Sequence, residues 1–262
     1  MKIDYIDIHG HVNFPEYDTD REDVIRRAHD AGVAMISVGT GLESSKQALD
    51  LTVSHDHMWA VVGIHPADVH GDVSAVEFEG VAGLATYLKV VAIGECGLDY
   101  FHATPEDIPR QRELFVQHIQ LANDVQKPLM LHVRNGKTGS HNAYQEAIEV
   151  LKKYAKVPAN FHFFAGTPQD AQDIVAMGNT ISFTGVVTFA RNYDEVIRGI
   201  PLANIMSETD CPYVAPVPHR GTRCEPVHVI ETVNKIAEIR GEPADVVAAQ
   251  LIKNAQQFFK LV

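Results

Sequence analysis

Ile3-Asp4-Tyr5-Ile6-Asp7-Ile8-His9-Gly10-His11 is the stretch on which the reading of this chain turns. Its apolar run has strand length, and two histidines close it, one residue apart. In extended backbone, side chains two apart point to the same side, so His9 and His11 aim two imidazoles at one point. Neutral imidazole suits zinc, manganese, iron and similar divalent ions. Gly10 leaves room at a crowded strand end. An isolated H-x-H pair is weak; its weight comes from what recurs downstream.

Working outward, strand-length apolar runs fall at 3–8, 35–38, 60–64, 90–93, 128–131, 159–162, 180–183 and 204–207. Helical-period segments lie between and after them, near 21–31, 44–55, 74–88, 107–126, 141–155, 168–177, 192–199, 226–240 and 243–260. Asp20, Thr104-Pro105 and Thr167-Pro168 read as caps or first-turn prolines, and Gly32, Gly178 and Gly241 fall where helices should stop. Eight strands alternating with helices predict a (β/α)8 barrel, an α/β fold with its functional face at the C-terminal strand ends. A doubly wound open sheet also fits the alternation, but the counts favour the barrel. At 262 residues and 45% hydrophobic content, one domain over 1–262 is expected. The irregular segment 211–225, rich in proline and basic residues, suits a loop over an active site.

The net charge is −12, from 22 basic and 34 acidic residues. That argues against a broad cationic surface for gripping duplex nucleic acid. It leaves open a small phosphate-cleaving pocket whose positive charge comes from bound metal. No stretch has the apolar length of a membrane span, the polar start is no signal peptide, and Cys96, Cys211 and Cys224 lack metal-type spacing. A cytoplasmic protein with reduced thiols and no membrane contact is expected.

Reading the expected strand ends in order gives Asp7, His9 and His11; His65 in Gly63-Ile64-His65-Pro66; Glu95 in Gly94-Glu95-Cys96-Gly97-Leu98-Asp99; and His132 in Leu131-His132-Val133-Arg134. His162 follows in Phe161-His162-Phe163-Phe164-Ala165-Gly166, and Asp210 in Ser207-Glu208-Thr209-Asp210-Cys211-Pro212. Singly, His132 or His162 reads as a hydrogen-bonded core histidine, Glu95 as a turn carboxylate and Asp210 as a loop brace. Together they would bury imidazoles and carboxylates at one place, which is costly without a cation.

These segments, with Ala215-Pro216-Val217-Pro218-His219-Arg220-Gly221 and Asn254-Ala255, resemble the TatD family of metal-dependent deoxyribonucleases among the amidohydrolase-type barrels. The likeness runs in order along nearly the whole chain. It implies that His9, His11, Glu95 and Asp210 hold one divalent ion, and that Glu95 bridges to a second held by His132 and His162. A bridging carboxylate offsets repulsion between two close cations. The chain departs from the family pattern at Ala67, where a second histidine is common, at Asn135, where an acidic residue is common, and at Cys224, where asparagine is usual. These departures bear on substrate identity more than on hydrolysis.

The implied chemistry is hydrolysis of DNA phosphodiester bonds, single-stranded or at strand ends, by a water activated between two cations ~4 Å apart. Glu95 and Asp210 are the expected catalytic groups, with Asp210 orienting the water and receiving its proton. His65, Arg134, Arg220 and Arg223 are candidates for binding substrate phosphate, arginine offering paired donors. Histidine with carboxylate admits zinc, manganese, nickel or iron, and magnesium less comfortably. Two alternatives stand beside this reading: hydrolysis of a small ester, amide or lactone on the same barrel, and a non-enzymatic metal-binding protein.

Overall fold

The computed structural model describes residues 2–69, 75–137 and 142–261. Strands β1 (Tyr5–Gly10), β2 (Val33–Val38), β3 (Met58–Val62), β4 (Val90–Asp99), β5 (Leu129–Arg134), β6 (Ala159–Phe161), β7 (Thr180–Phe183) and β8 (Ile205–Ser207) lie side by side in chain order. Each neighbouring pair is parallel. The ring closes where β8 returns to β1: Ser207 Oγ donates to Ile6 O (3.2 Å), Asp210 N to His9 O (2.8 Å) and His11 N to Cys211 O (2.7 Å). A closed ring leaves no free edge, and the barrel reading holds over the open sheet.

Helices α1 (Arg21–Asp30), α2 (Leu42–Ser54), α3 (Ala75–Leu84), α4 (Asp107–Val125), α5 (Ala143–Tyr154), α6 (Pro168–Ala176), α7 (Asp194–Gly199), α8 (Val229–Arg240) and α9 (Ala244–Phe259) surround it. Most turn an apolar stripe inward, though α3 buries only Val81; α5 buries Ala143, Tyr144, Ala147, Ile148 and Leu151, the spacing of one helical face. These meet strand residues such as Leu131 and Phe161 in the largest apolar cluster. Burying Leu151 contributes roughly 1.5–3 kcal/mol. Among the described residues, no helix is long and apolar enough to cross a membrane.

The caps divide. Thr167 accepts from Asp170 N (3.2 Å), and Asp170 Oδ2 accepts from Thr167 N (2.9 Å), a closed capping box with Pro168 behind it. Asp20 stands at the N-cap of α1 but caps nothing, because its carboxylate is held by Arg223. Helix α4 begins at Asp107, later than Thr104-Pro105, and the Asp107 carboxylate binds back to Thr104 N and Oγ1. The starts expected at 74 and 141 lie outside the described residues.

The strand bounds that position the site also differ. β4 runs six residues beyond the expected 90–93, through Glu95 to Asp99, and β5 extends through His132 to Arg134. Glycines permit this: at Gly94 (φ +155°) and Gly97 (φ +137°) a Cβ would stand 2.2 Å from Met130 O and 2.3 Å from His132 O. Only glycine lets β4 follow β5 that closely. β1 ends at Gly10, so His9 lies within it, whereas His65 and His162 lie beyond β3 and β6.

Candidate metal centre

Two histidines have their ring protons placed by their surroundings, and a third stands between two carboxylates. The Val38 carbonyl can only accept, so His11 donates from Nδ1 at 2.9 Å and turns the Nε2 lone pair to the barrel mouth. His9 Nδ1 faces the weakly accepting thioether of Met130 at 3.0 Å, which frees its Nε2 in the same way. His132 presents Nε2 to Asp99 Oδ2 at 3.0 Å and Nδ1 to Glu95 Oε1 at 2.9 Å.

Around one corner of the site, His9 Nε2 lies 3.3 Å from His11 Nε2, 3.4 Å from Glu95 Oε2 and 3.8 Å from Asp210 Oδ1. His11 Nε2 lies 3.7 Å from Glu95 Oε2 and 3.4 Å from Asp210 Oδ1. These spacings exceed ordinary hydrogen-bond lengths of about 2.7–3.2 Å. They match the ~3.4 Å edges of a tetrahedron built on bonds of ~2.1 Å to a cation. The donor set fits a divalent metal.

The second corner forms on the other oxygen of the same carboxylate. Glu95 Oε1 lies 2.8 Å from His162 Nε2, and His162 Nε2 lies 3.4 Å from His132 Nδ1. His65 Nε2 approaches Glu95 Oε1 at 3.4 Å, but His65 Nδ1 accepts from Ala67 N (3.1 Å). A neutral His65 therefore carries its proton on Nε2 and offers the site a donor, not a lone pair.

Charge follows the same plan. Burial alone would raise the Glu95 pKa, but the imidazoles of His162, His65 and His9 hold it well below the usual carboxylate range. Burial opposes a charged His162, and the carboxylates of Glu95 and Glu208 outweigh it, raising that imidazole well above its usual value. Burial likewise disfavours ionised Asp99, and hydrogen bonds from His132 and His102 lower it regardless. A buried nest of acids favours whatever positive charge it can hold.

Three further acids, none of them assigned a role from the sequence, support the site. Asp99 holds His132. Glu208, fully buried, accepts from Phe163 N (2.5 Å) and Ser182 Oγ (2.7 Å), with Oε1 3.5 Å from His162 Nδ1. Asp7 accepts from Thr209 Oγ1 (2.5 Å), Thr209 N (2.9 Å) and His9 N (3.2 Å), locking β1 to the segment that carries Asp210. Strand periodicity was the available signal for Asp99, since Glu95, Gly97 and Asp99 share one side of β4.

The expected substrate arginines part company. Arg134 lies on the rim of a cavity with His132 and His162, its guanidinium 4.1 Å over the Phe101 ring. Arg220 donates to Ala215 O (2.7 Å) and stacks on Phe189. Arg223 is clamped by both oxygens of Asp20 (2.8 and 2.7 Å) and by Glu16 O (2.7 Å), over the Tyr17 ring. Both of the latter brace the loop after β8.

The family model for TatD related DNase matches residues 6–260. The chain belongs to the TatD family. YabD of Bacillus subtilis, a metal-dependent hydrolase, is 34% identical to it over 261 residues, 97% of this chain and 98% of its own. A TatD protein of Shigella flexneri, named a 3'-5' ssDNA/RNA exonuclease, is 34% identical over 265 residues, covering 97% and 98%. The solved structure of YJJV, a TatD homolog from Escherichia coli K12, aligns with a TM-score of 0.90 at 30% identity over 100% of both chains. The protein is thus a metal-dependent hydrolase of TatD type on a (β/α)8 barrel.

Proposed function

We propose that this TatD-family hydrolase cleaves phosphodiester bonds of single-stranded nucleic acid, DNA foremost, from the 3' end, with two divalent ions bridged by Glu95. The observation that carries this reading is the division of Glu95: Oε2 faces His9 and His11, Oε1 faces His132 and His162. The polarity and strand preference rest on the name of the Shigella relative.

His9, His11, Glu95 and Asp210 would hold one ion, and Glu95, His132 and His162 the other. Bound there, the ions supply Lewis-acid stabilisation of the phosphoryl oxygens and ease deprotonation of a water. Asp210, held at the barrel mouth by its own amide on His9 O, orients that water and accepts its proton. His65 donates from Nε2 to a non-bridging oxygen, and Arg134 offers paired donors to the same phosphate. Zinc, manganese, nickel, iron and magnesium are the candidate ions.

The test is turnover of single-stranded DNA, duplex DNA, RNA and a panel of small esters and amides by protein loaded with each ion. Asp210→Asn and Glu95→Gln serve as controls. Single-stranded DNA should be cut at least about a hundredfold faster by wild type than by either control. Equal rates would sink the nuclease reading, and turnover confined to the small substrates would replace it.

A further inference from the structure

Beside the second histidine corner lies a cavity of about 240 Å³ that the proposed chemistry leaves without a role. His132 and His162 stand at one end, Arg134 at the rim, and Phe163, Val186 and Tyr193 form apolar walls. The volume falls just under the roughly 300–1,000 Å³ of drug-sized sites. It suits one flat ring system and no more.

Phe163 is the unusual wall. Its backbone is left-handed (φ +42°), a conformation that a bulky residue rarely adopts and that persists only where surroundings enforce it. The enforcing contact is the hydrogen bond from Phe163 N to the buried Glu208 carboxylate. The next residue, Phe164, packs into the core, whereas Phe163 stays half-buried on the cavity wall. Among the described residues, the Arg134 guanidinium forms no hydrogen bond or ion pair and lies flat on Phe101, with Lys137 over the same ring. An aromatic wall and free positive charge therefore meet at one edge of the site.

The opposite edge differs in kind. The cavity of about 980 Å³ beyond His11 and Phe14 has Glu16, Glu43 and Asp68 in its lining and, among the described residues, no basic one. Carboxylates there repel a polyanion, which leaves the Arg134 side for the polymer.

Resting on the nuclease reading above, we propose that the smaller cavity binds one nucleobase adjoining the scissile phosphate, with Phe163 as its stacking surface and Arg134 on the neighbouring phosphate. Base stacking on an aromatic ring strengthens binding about five- to 150-fold and tolerates any base. The site would thus favour nucleic acid over baseless phosphodiesters without reading sequence.

The experiment uses metal-loaded enzyme and single-stranded oligonucleotides whose 3'-terminal or penultimate residue lacks its base. One of the two positions should lower kcat/KM in wild type by about tenfold relative to the intact strand. Phe163→Leu, apolar but without a ring, should bring that ratio close to one, and Phe163→Trp should restore it. Cleavage that neither missing base slows, or a slowing undiminished in Phe163→Leu, overturns this site alone. Enzyme that cleaves no oligonucleotide overturns it together with the nuclease reading.

Discussion

His132 Nε2 lies 3.0 Å from Asp99 Oδ2, and this contact turns the other ring nitrogen toward Glu95 and the candidate metal centre. His132 is register partner to Gly97, midway between Glu95 and Asp99 on β4. Its ring therefore spans the two carboxylates, one at each nitrogen. Replacing Asp99 by Asn removes the charge that faces Nε2 and that would favour the proton there once a cation is held at Nδ1. Losing such a partner typically costs 10–100-fold in metal affinity. Calorimetric titration of Asp99→Asn should show one ion bound about 10–100-fold more weakly and the ion at His9 and His11 little changed. Unaltered affinity at both would remove Asp99 from the site.

Gly97→Ala should be far more damaging than its size suggests. The added methyl would meet His132 O at 2.3 Å from a backbone at φ +137°, so either β4 shifts or the strand pair opens. A loss of about 3 kcal/mol or more in urea unfolding is expected. Wild-type stability in this variant would show that β4 can relax away from β5.

His118 gives the fold a pH dependence separate from the metal centre. It is fully buried, donates from Nδ1 to Leu114 O (2.8 Å) and accepts Ile64 N at Nε2 (3.1 Å), and burial lowers its pKa to about 4. Unfolded histidine titrates near ~6.5, so the folded state binds fewer protons between these values. The contribution is whole above the unfolded pKa and is lost as pH falls toward the folded one. Between pH ~7 and ~5 the expected loss is about 2 kcal/mol. Urea midpoints at the two pH values should diverge less in His118→Gln than in wild type; equal divergence would assign the effect elsewhere.

Two arginines near the mouth should respond in opposite ways. Arg134→Ala should raise KM for single-stranded DNA about tenfold at unchanged melting temperature, since a charge-assisted phosphate contact is lost. Arg223→Ala should lower the melting temperature by about 2 °C and move KM less, because its donors go to Asp20 and Glu16. The reverse pattern would make Arg223 the substrate residue.

Much of this was legible along the chain because strands and ligands share a period. The alternation of apolar runs announced the barrel, and the H-x-H spacing told that His9 and His11 share a side. Glu95, His132, His162 and Asp210 stood out as polar residues at the close of apolar runs. Asp99 was in view at the end of the 94–99 segment but was given no role, because glycines at 94 and 97 ordinarily end strands. Here they extend one. The pairing of Arg223 was hidden for a different reason: its partner Asp20 lies 203 residues away, and no local pattern connects them.

The order of residues alone pointed to the eight-fold repeat, the family and the candidate ligand types, since each depends on short-range periodicity and side-chain chemistry. Only tertiary structure decided which oxygen of Glu95 meets which histidine, which nitrogen of His65 and His132 faces inward, and which arginine has no hydrogen-bond or ion-pair partner among the described residues. Those outcomes are set by ångström-scale register between strands and by partners distant in the chain, and sequence spacing encodes neither.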